Sequence, residues 1–271
     1  MNTLPRAFVP PERWTAEGMV EISVQEWHHL VHVRRMKAGD RVILFDGTGH
    51  EAEGLIDSVE YRRIRLLRAW ERPPDPLAIT LFQAVLKQEA MESVIRKSVE
   101  LGVSVICPLE ADRSIPRLIE KRAAAREERW RTIAREAAHQ CGLAWLPTIR
   151  PVGRLDAILG ELSGLDAAFL GSLEPGARPL LAAAYSLTDR IGRGVPLRVG
   201  LAIGPEGDWT PDEHEALLRA GAQPVTFGVN VLKADTAACF GLSVLRALAT
   251  AAGEIPPPGP RASETGRRGS S

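Results

Sequence analysis

Cysteine is scarce in this sequence. Cys107, Cys141 and Cys239 are the only three, they lie far apart, and no C-x-x-C pair occurs. That argues against a disulfide framework or a zinc site and makes a reducing cytosol the expected compartment. Long apolar runs are also missing. No stretch reaches the ~18 apolar residues of a membrane span. The opening "MNTLPRAFVPPERW" lacks the basic start and apolar core of a signal peptide. Neither charge is in surplus, with 34 Lys and Arg against 34 Asp and Glu. A basic coat for nucleic acid is therefore not expected, although a neutral total is compatible with a local basic face. What remains is a 271-residue chain, 45% apolar, long enough for one large domain or two small ones and expected to be cytoplasmic.

Two segments differ in character. Residues 41–69 read as all-β: "RVILFD" is a strand, "DGTG" (Asp46–Gly49) a hairpin turn, and "EAEGLIDSV" and "RRIRLLRAW" are further strands. Before them, "SVQEWHHLVHVRRMKAGD" reads as a short helix and a turn at Gly39–Asp40. The proline-rich "ERPPDP" (Glu71–Pro76) is a stiff linker and a domain boundary. Beyond it, "LAITLFQAVL", "VSVICPL", "DAAFLGSL", "LRVGLAIG" and "PVTFGV" read as strands. Between and after them come the helix "EAMESVIRKSVELG" ending at Gly102, a long charged helix over 118–143, and the apolar helix "TAACFGLSVLRALATA". Ile119, Ile133, Ala134 and Ala137 are among the long helix's apolar positions. Alternating strands and helices predict a mostly parallel α/β sheet, with ligands beyond the carboxyl ends of its strands. The tail, residues 253–271, is too rich in Pro, Gly and Ser to pack and is expected to be disordered.

Three loops follow strands of the second segment: Gly171–Gly176, the turn Gly204-Pro205-Glu206-Gly207-Asp208, and "FGVNVLKADTAA" from Phe227 to Ala238. Glycines at strand ends let backbone approach a ligand closely. The middle turn lacks the Lys-Ser/Thr pair of a phosphate loop and is not G-x-G-x-x-G. Its two acids would repel a phosphate and suit hydroxyls or positive charge. Plainer readings stand beside this one. The turn by itself reads as a tight turn, and Thr210-Pro211-Asp212-Glu213 is a capping box that starts the next helix and needs no further role. Asp235 sits where a helix cap would sit, and capping or chemistry are both open for it.

The combination is more specific than any one loop. "GLAIGPEGDWTPDEHEALLRAGAQPVTFGVNVLKADTAA" resembles the end of the RsmE family of SPOUT methyltransferases, with its G-P-E-G-G turn and following L-G-x-x-I-L-R-x-E-T-A segment. "LKQEAMESVIRKSVELGVSVICPLEADRS" resembles the family's lysine-started helix and E-R-S ending, and "RWRTIAREAAHQCG" its W-x-x-I-x-x-E-A-x-E-Q-S-G helix. "HHLVHVRRMKAGDRVILFDGTGHEAEGLI" resembles its PUA-like RNA-binding domain. The match runs in family order over nearly all of residues 20–250.

That resemblance implies an α/β fold in two domains. Residues 1–72 would form a small PUA-like β-barrel. Residues 77–252 would form a SPOUT α/β knot, a deep trefoil knot on a mostly parallel sheet, homodimeric through the knot region. It implies S-adenosylmethionine as cofactor and methylation of N3 of one uridine in small-subunit rRNA, free or in the assembled small ribosomal subunit. By position the cofactor would be held by Leu170 and Gly171, by Gly204, Pro205, Glu206 and Gly207, and by Phe227, Gly228, Val231 and Leu232. Several positions depart from the family. Its second turn glycine is Asp208, its proline-arginine pair is Val229-Asn230, its second arginine is Lys233, and its threonine-glutamate is Ala234-Asp235. The family's E-Q-S-G-R becomes His139 to Leu143 and loses its arginine. Lysine does not reproduce an arginine fork, which touches the RNA target more than the cofactor.

For the reaction, Asp235 or Glu206 could take the N3 proton, Lys233 could stabilise charge on a uridine oxygen, and Asn230 could hydrogen-bond the base. Glu136 and Gln140, four apart on one helix face, could reach the RNA or simply be solvated. Arg34, Arg35, Lys37 and Arg41, with Arg62, Arg63, Arg65 and Arg68, are candidates for phosphate contact or for plain surface solubility. His28 and His32 share helical spacing but lack a third ligand, so no metal is expected. The cysteines read as core residues. Two other readings remain: an RNA-binding knot protein with another RNA target or little catalysis, and an ordinary nucleotide-binding α/β enzyme, the latter disfavoured by the missing phosphate motif.

Overall fold

The computed structural model describes residues 4–14, 18–114 and 123–253. The expected tail, apart from Gly253, and the first residues of the expected long helix, Ile119 among them, lie outside these. Over the described residues the chain divides into two compact units, one taking the chain up to Pro74 together with His139–Trp145, the other Asp75–Ala138 and residues 146–253.

The first unit carries β1 (Arg6–Phe8), β2 (Met19–Glu21), α1 (Val24–His28), β3 (Arg41–Phe45), β4 (His50–Ser58) and β5 (Arg63–Glu71). Its sheet runs β1-β3-β4-β5-β2. Only β1 and β3 are parallel; the other pairs are antiparallel. Alternation along the strands turns Val42, Leu44, Ile56 and Ile64 into one core with Trp27 and Leu30 of the helical segment. The "DGTG" turn forms as expected. The buried Asp46 carboxylate accepts the backbone N–H groups of Thr48 (2.7 Å) and His50 (3.1 Å), and sits 2.8 Å from His50 Nδ1. Burial pushes the Asp46 carboxyl up, but these hydrogen bonds outweigh it and hold it below the usual range.

A second buried acid, Glu51, is enclosed in the same unit. Trp70 Nε1 donates to its Oε2 at 2.9 Å and Arg72 Nε at 2.8 Å. Arg6 Nη2 makes a close ion-pair contact with Oε1 at 2.6 Å. The residues from His139 to Trp145 are knitted into this cluster. The His139 ring lies 5.6 Å from that of His29 and 5.9 Å from that of Phe45. Arg6 Nη2 donates to Leu143 O at 3.1 Å, and Trp145 Nε1 to Arg72 O at 3.0 Å.

The second unit holds β6 (Leu77–Ala84), α2 (Gln88–Glu100), β7 (Val105–Glu110) and most of α3 (Ala123–Cys141). It continues with β8 (Thr148–Ile149), β9 (Gly153–Arg154), α4 (Leu155–Ser163), β10 (Ala167–Gly171), β11 (Arg178–Pro179), α5 (Leu180–Ala184) and α6 (Thr188–Ile191). Last come β12 (Leu197–Ile203), α7 (Pro211–Arg219), β13 (Gln223–Thr226) and α8 (Ala234–Ala251). The strands run β11-β13-β10-β12-β6-β7-β8, with β9 also beside β7. All these pairs are parallel. Strands buried on both faces read as continuous apolar runs, which is what "LAITLFQA" and "LRVGLAI" are.

Phe82, Ala84, Ala168, Leu170 and Ala202 face α4 and α7 through Ile158, Leu162 and Leu217. On the other face α8 crosses β12 closely at Gly241, where an added Cβ would stand 2.7 Å from Leu201 Cδ2. Helix α2 ends at Gly102, with φ +73°, and the Arg246 guanidinium caps it by donating to Leu101 O (3.1 Å) and Gly102 O (2.6 Å). The same guanidinium pairs with Asp75 of the linker.

Candidate active site

Strands β13, β10 and β12 are neighbours and parallel, so the loops leaving their carboxyl ends emerge side by side. These are the three loops singled out in the sequence. Together they wall a pocket of about 440 Å³.

Each loop has a local reason for its shape. Gly171 ends β10 because the Phe227 ring crosses it; a Cβ there would lie 2.9 Å from Phe227 Cε2. At Gly204 a Cβ would lie 3.0 Å from Trp209 Nε1, so the indole packs directly under the turn. The turn closes by a hydrogen bond from Asp208 N–H to Pro205 O at 3.0 Å. Asp208 has φ +59°, a left-handed conformation that costs a non-glycine residue roughly 1 kcal/mol. Its Oδ1 accepts the Trp209 N–H at 2.8 Å, the short local bond that makes aspartate tolerable there. In the third loop Gly228, with φ +129°, is tied to Thr226, whose hydroxyl donates to Gly228 O at 3.1 Å.

Of the expected cofactor contacts, Gly171, Gly204, Pro205, Glu206, Phe227, Gly228, Val231 and Leu232 line the pocket. Leu170 and Gly207 do not. Leu170 is fully buried in the core beneath, and Gly207 packs on the Arg113 side chain. Asn230 and Lys233 also line it, and Asp235 does not. Capping does not explain Asp235 either. The cap position of α8 is Lys233, with no side-chain cap bond, and Asp235 lies within the first helical turn. The lining carries three carboxylates, Glu174, Glu206 and Asp208, against the single ammonium of Lys233. Among the described residues none of Glu206, Asp208 and Lys233 is in an ion pair, so the pocket presents net negative charge.

The structure adds residues that reading along the chain missed. Arg113, after β7, donates from Nη1 to Gly207 O (3.0 Å) and Trp209 O (3.2 Å), bracing the turn from outside. It stands in the "EADRS" stretch that carried the resemblance, which is the signal that could have found it. Glu213 forms the expected capping box with Thr210, but it does more than start a helix. Its Oε1 also accepts the Asp112 N–H at 2.8 Å and ties the β7 loop to α7. Ser172, Glu174 and His214 form a further group at the pocket wall. Of the cysteines only Cys107 is a core residue, and burial pushes its thiol up to about 12. Cys239 is half-buried, with its thiol raised by that burial, and Cys141 is exposed near the end of α3, against the expectation of a core residue.

In the first unit Arg34, Arg35, Lys37 and Arg63 are all exposed. The Arg63 guanidinium lies 5.3 Å from the centroid of the Tyr61 ring. Arg41 and Arg62 are paired with Glu53 and Glu21. Glu136 and Gln140 are exposed on α3 and do not line the pocket.

Residues 73–246 match the RNA methyltransferase domain family, and residues 22–60 the RNA methyltransferase PUA domain. The chain belongs to the RNA methyltransferase family. Within it, a Mycobacterium bovis protein named Ribosomal RNA small subunit methyltransferase E is 31% identical over 82% of this chain and 84% of its own length. A Synechocystis protein of the same name is 29% identical over 90% of this chain and 77% of its own. A Ribosomal RNA small subunit methyltransferase E from Neisseria gonorrhoeae, solved bound to S-adenosyl methionine, superposes with a TM-score of 0.77 at 28% identity. It covers 90% of this chain and 98% of that one. The resemblance to the RsmE family is thereby borne out. So is the fold class of this RNA methyltransferase: a SPOUT α/β domain with a PUA-like N-terminal part. No helix among the described residues is long and apolar enough to cross a membrane.

Proposed function

We propose that the protein uses S-adenosylmethionine to methylate N3 of one uridine in small-subunit rRNA. The pocket carries this reading. It is walled by close-approaching backbone, acidic, and without a phosphate lysine, at the carboxyl ends of parallel strands in an RNA methyltransferase chain. The residues present fit this cofactor, which bears a sulfonium and an ammonium and no phosphate. When bound, it supplies an already activated methyl group. The chain's own groups bind and orient. Backbone of Gly171, of Gly204 to Glu206, and of Phe227 to Leu232 holds the adenosine part.

N3 is a weak nucleophile while protonated, so its proton must be accepted as it reacts. Glu206, on the lining, takes that role ahead of Asp235, which lies off it. Lys233 offers its ammonium to the uridine oxygen on which charge develops, and Asn230 hydrogen-bonds the base. Holding the base in line supplies much of the remaining barrier reduction. Residues 1–72 act as the RNA-binding domain and 77–252 as the methyltransferase domain. Arg34, Arg35, Lys37 and Arg63 contact phosphates, with Glu136 and Gln140 as further RNA contacts. A second copy covers the apolar side chains beside the pocket: Val229 is fully exposed, Val231 75% and Phe240 43%. The protein acts on rRNA or the small subunit in the cytoplasm.

Mass spectrometry of rRNA from a strain lacking this gene tests the reading. N3-methyluridine should disappear and return on complementation; its persistence in the deletion strain would reject the function. A second test concerns Arg113. Arg113→Ala removes both bonds to the turn carbonyls and should weaken S-adenosylmethionine binding about tenfold in calorimetry. Unchanged affinity would show that the turn needs no brace.

A further inference from the structure

Ser172, Glu174 and His214 form a closed ring of polar contacts at the pocket wall. Ser172 is buried, its N–H donates to Val225 O at 3.0 Å, and it directly follows Gly171. Glu174 N–H donates to Ser172 Oγ at 3.1 Å. His214 Nε2 stands 3.2 Å from the same hydroxyl, and His214 Nδ1 lies 3.6 Å from Glu174 Oε1, within ion-pair reach. Ser172 and Glu174 line the pocket; His214, on α7, sits behind them with 13% of its side chain exposed. One imidazole thus joins the loop after β10 to the helix that the glycine turn opens into.

We propose that His214 is a positioning residue whose protonation lowers the affinity of this pocket for a cationic cofactor. The proposal rests on the reading of the pocket as an S-adenosylmethionine site. In the neutral ring with hydrogen on Nδ1, the Ser172 hydroxyl donates to Nε2 and the Nδ1–H faces the Glu174 carboxylate. Ser172 Oγ then keeps acceptor capacity for a ligand N–H or O–H, and Glu174 keeps its full negative charge. In the charged ring both nitrogens donate. Nε2–H occupies the Ser172 oxygen and turns the hydroxyl proton away from the ring, while the imidazolium neutralises Glu174. Both changes disfavour a positive ligand, and by linkage a bound cation disfavours the proton on His214.

Glu174 is the only charged group within ion-pair distance of the ring among the described residues. Of the other charged groups on α7 and on α4 beside it, all but Asp212 have their own partners. Glu213 bonds Thr210 and Asp112. Arg113 bonds the turn carbonyls. Glu215 pairs with Arg219, and on α4 Glu161 pairs with Arg150 and Asp156 with Arg154. Asp212 is exposed at the start of α7.

Calorimetric dissociation constants between about pH 5.5 and pH 8 test this. For the full-length protein the constant for S-adenosylmethionine should rise about fivefold toward the acid end. The constant for methylthioadenosine, which lacks the sulfonium and the ammonium, should stay level. His214→Gln, neutral throughout, should flatten the first profile. A level wild-type profile, an equal slope for methylthioadenosine, or a slope retained in His214→Gln would each overturn the proposal while leaving the cofactor reading intact. No S-adenosylmethionine binding at any pH would instead overturn the cofactor reading. If His214→Gln does not fold by circular dichroism, Glu174→Gln decides the matter. Glu174 is exposed, so its loss should not disturb folding, and its removal should at least halve the slope; an undiminished slope overturns the proposal.

Discussion

Replacing Lys233 by alanine is expected to cut methyl transfer about a hundredfold while leaving S-adenosylmethionine affinity within about twofold. The structure makes this a clean substitution. Lys233 occupies the cap position of α8 with extended dihedrals, and only its backbone works there, accepting the Ala237 N–H at 2.8 Å. No cap bond uses its side chain, so α8 does not depend on it. Its ammonium is the one positive group on a lining with three carboxylates, where a cationic cofactor gains nothing from it. A negative charge developing on a uridine oxygen gains a great deal. Calorimetry for binding and methyl incorporation into small-subunit rRNA for turnover separate the two. Equal losses in both would mean that Lys233 holds the cofactor and not the transition state.

The largest stability effect is expected at Glu51. Glu51→Gln should lower stability of the N-terminal unit by about 3 kcal/mol, because it removes the buried carboxylate shared by two arginines and Trp70. Arg6 and Arg72, with only 15% and 20% of their side chains exposed, would each lose this carboxylate. The melting midpoint should fall by roughly 12–24 °C for a unit of this size. The sign of the pH dependence follows from the same cluster. Burial pushes the Glu51 carboxyl up, but the Arg6 charge and the bonds from Arg72, Arg6 and Trp70 outweigh it, so its folded pKa lies below the usual glutamate value of about 4.5. A lowered folded pKa means stability that is fully present above the unfolded value and lost as pH falls through the folded one.

Asp46 acts in the same direction. His139 does too, starting at higher pH: burial lowers it from 6.5, so stability is lost as pH falls below that value. Denaturant titrations at neutral and acid pH check this. Wild type should lose stability below about pH 4.5 more steeply than Glu51→Gln. Parallel curves would show that Glu51 carries no such linkage.

Much of the outline was legible because its causes are local. Apolar runs bounded by glycine and proline mark β6, β7, β10, β12 and β13. The capping box needs only Thr210 and Glu213, three residues apart. The Asp46 turn needs only its own four residues and His50. The three ligand loops were legible for the same reason, since glycines at strand ends announce close approach. The short elements were not. Strands β8, β9 and β11 have two residues each and leave no periodicity to read.

Local signals also misjudged residues whose partners are distant. Leu170 and Gly207 stand beside lining residues in the chain, yet packing turns one into the core and the other onto Arg113. Asp235 looked like a cap, but the helix begins one residue before it.

The sequence by itself determined the longer strands, helices and turns, and that a ligand with hydroxyls or positive charge suits the glycine loops better than a phosphate. Only the tertiary structure decided that β13, β10 and β12 stand adjacent so that these loops share one pocket. It also decided that Arg113 braces a turn 94 residues away and that Glu213 reaches Asp112 across 101. It set His214 between Ser172 and Glu174, and Glu51 between Arg6 and Arg72. Backbone propensity and hydrophobic period act over a few residues. Strand order and buried polar contacts are settled only when distant segments are desolvated together and each charge must find a partner.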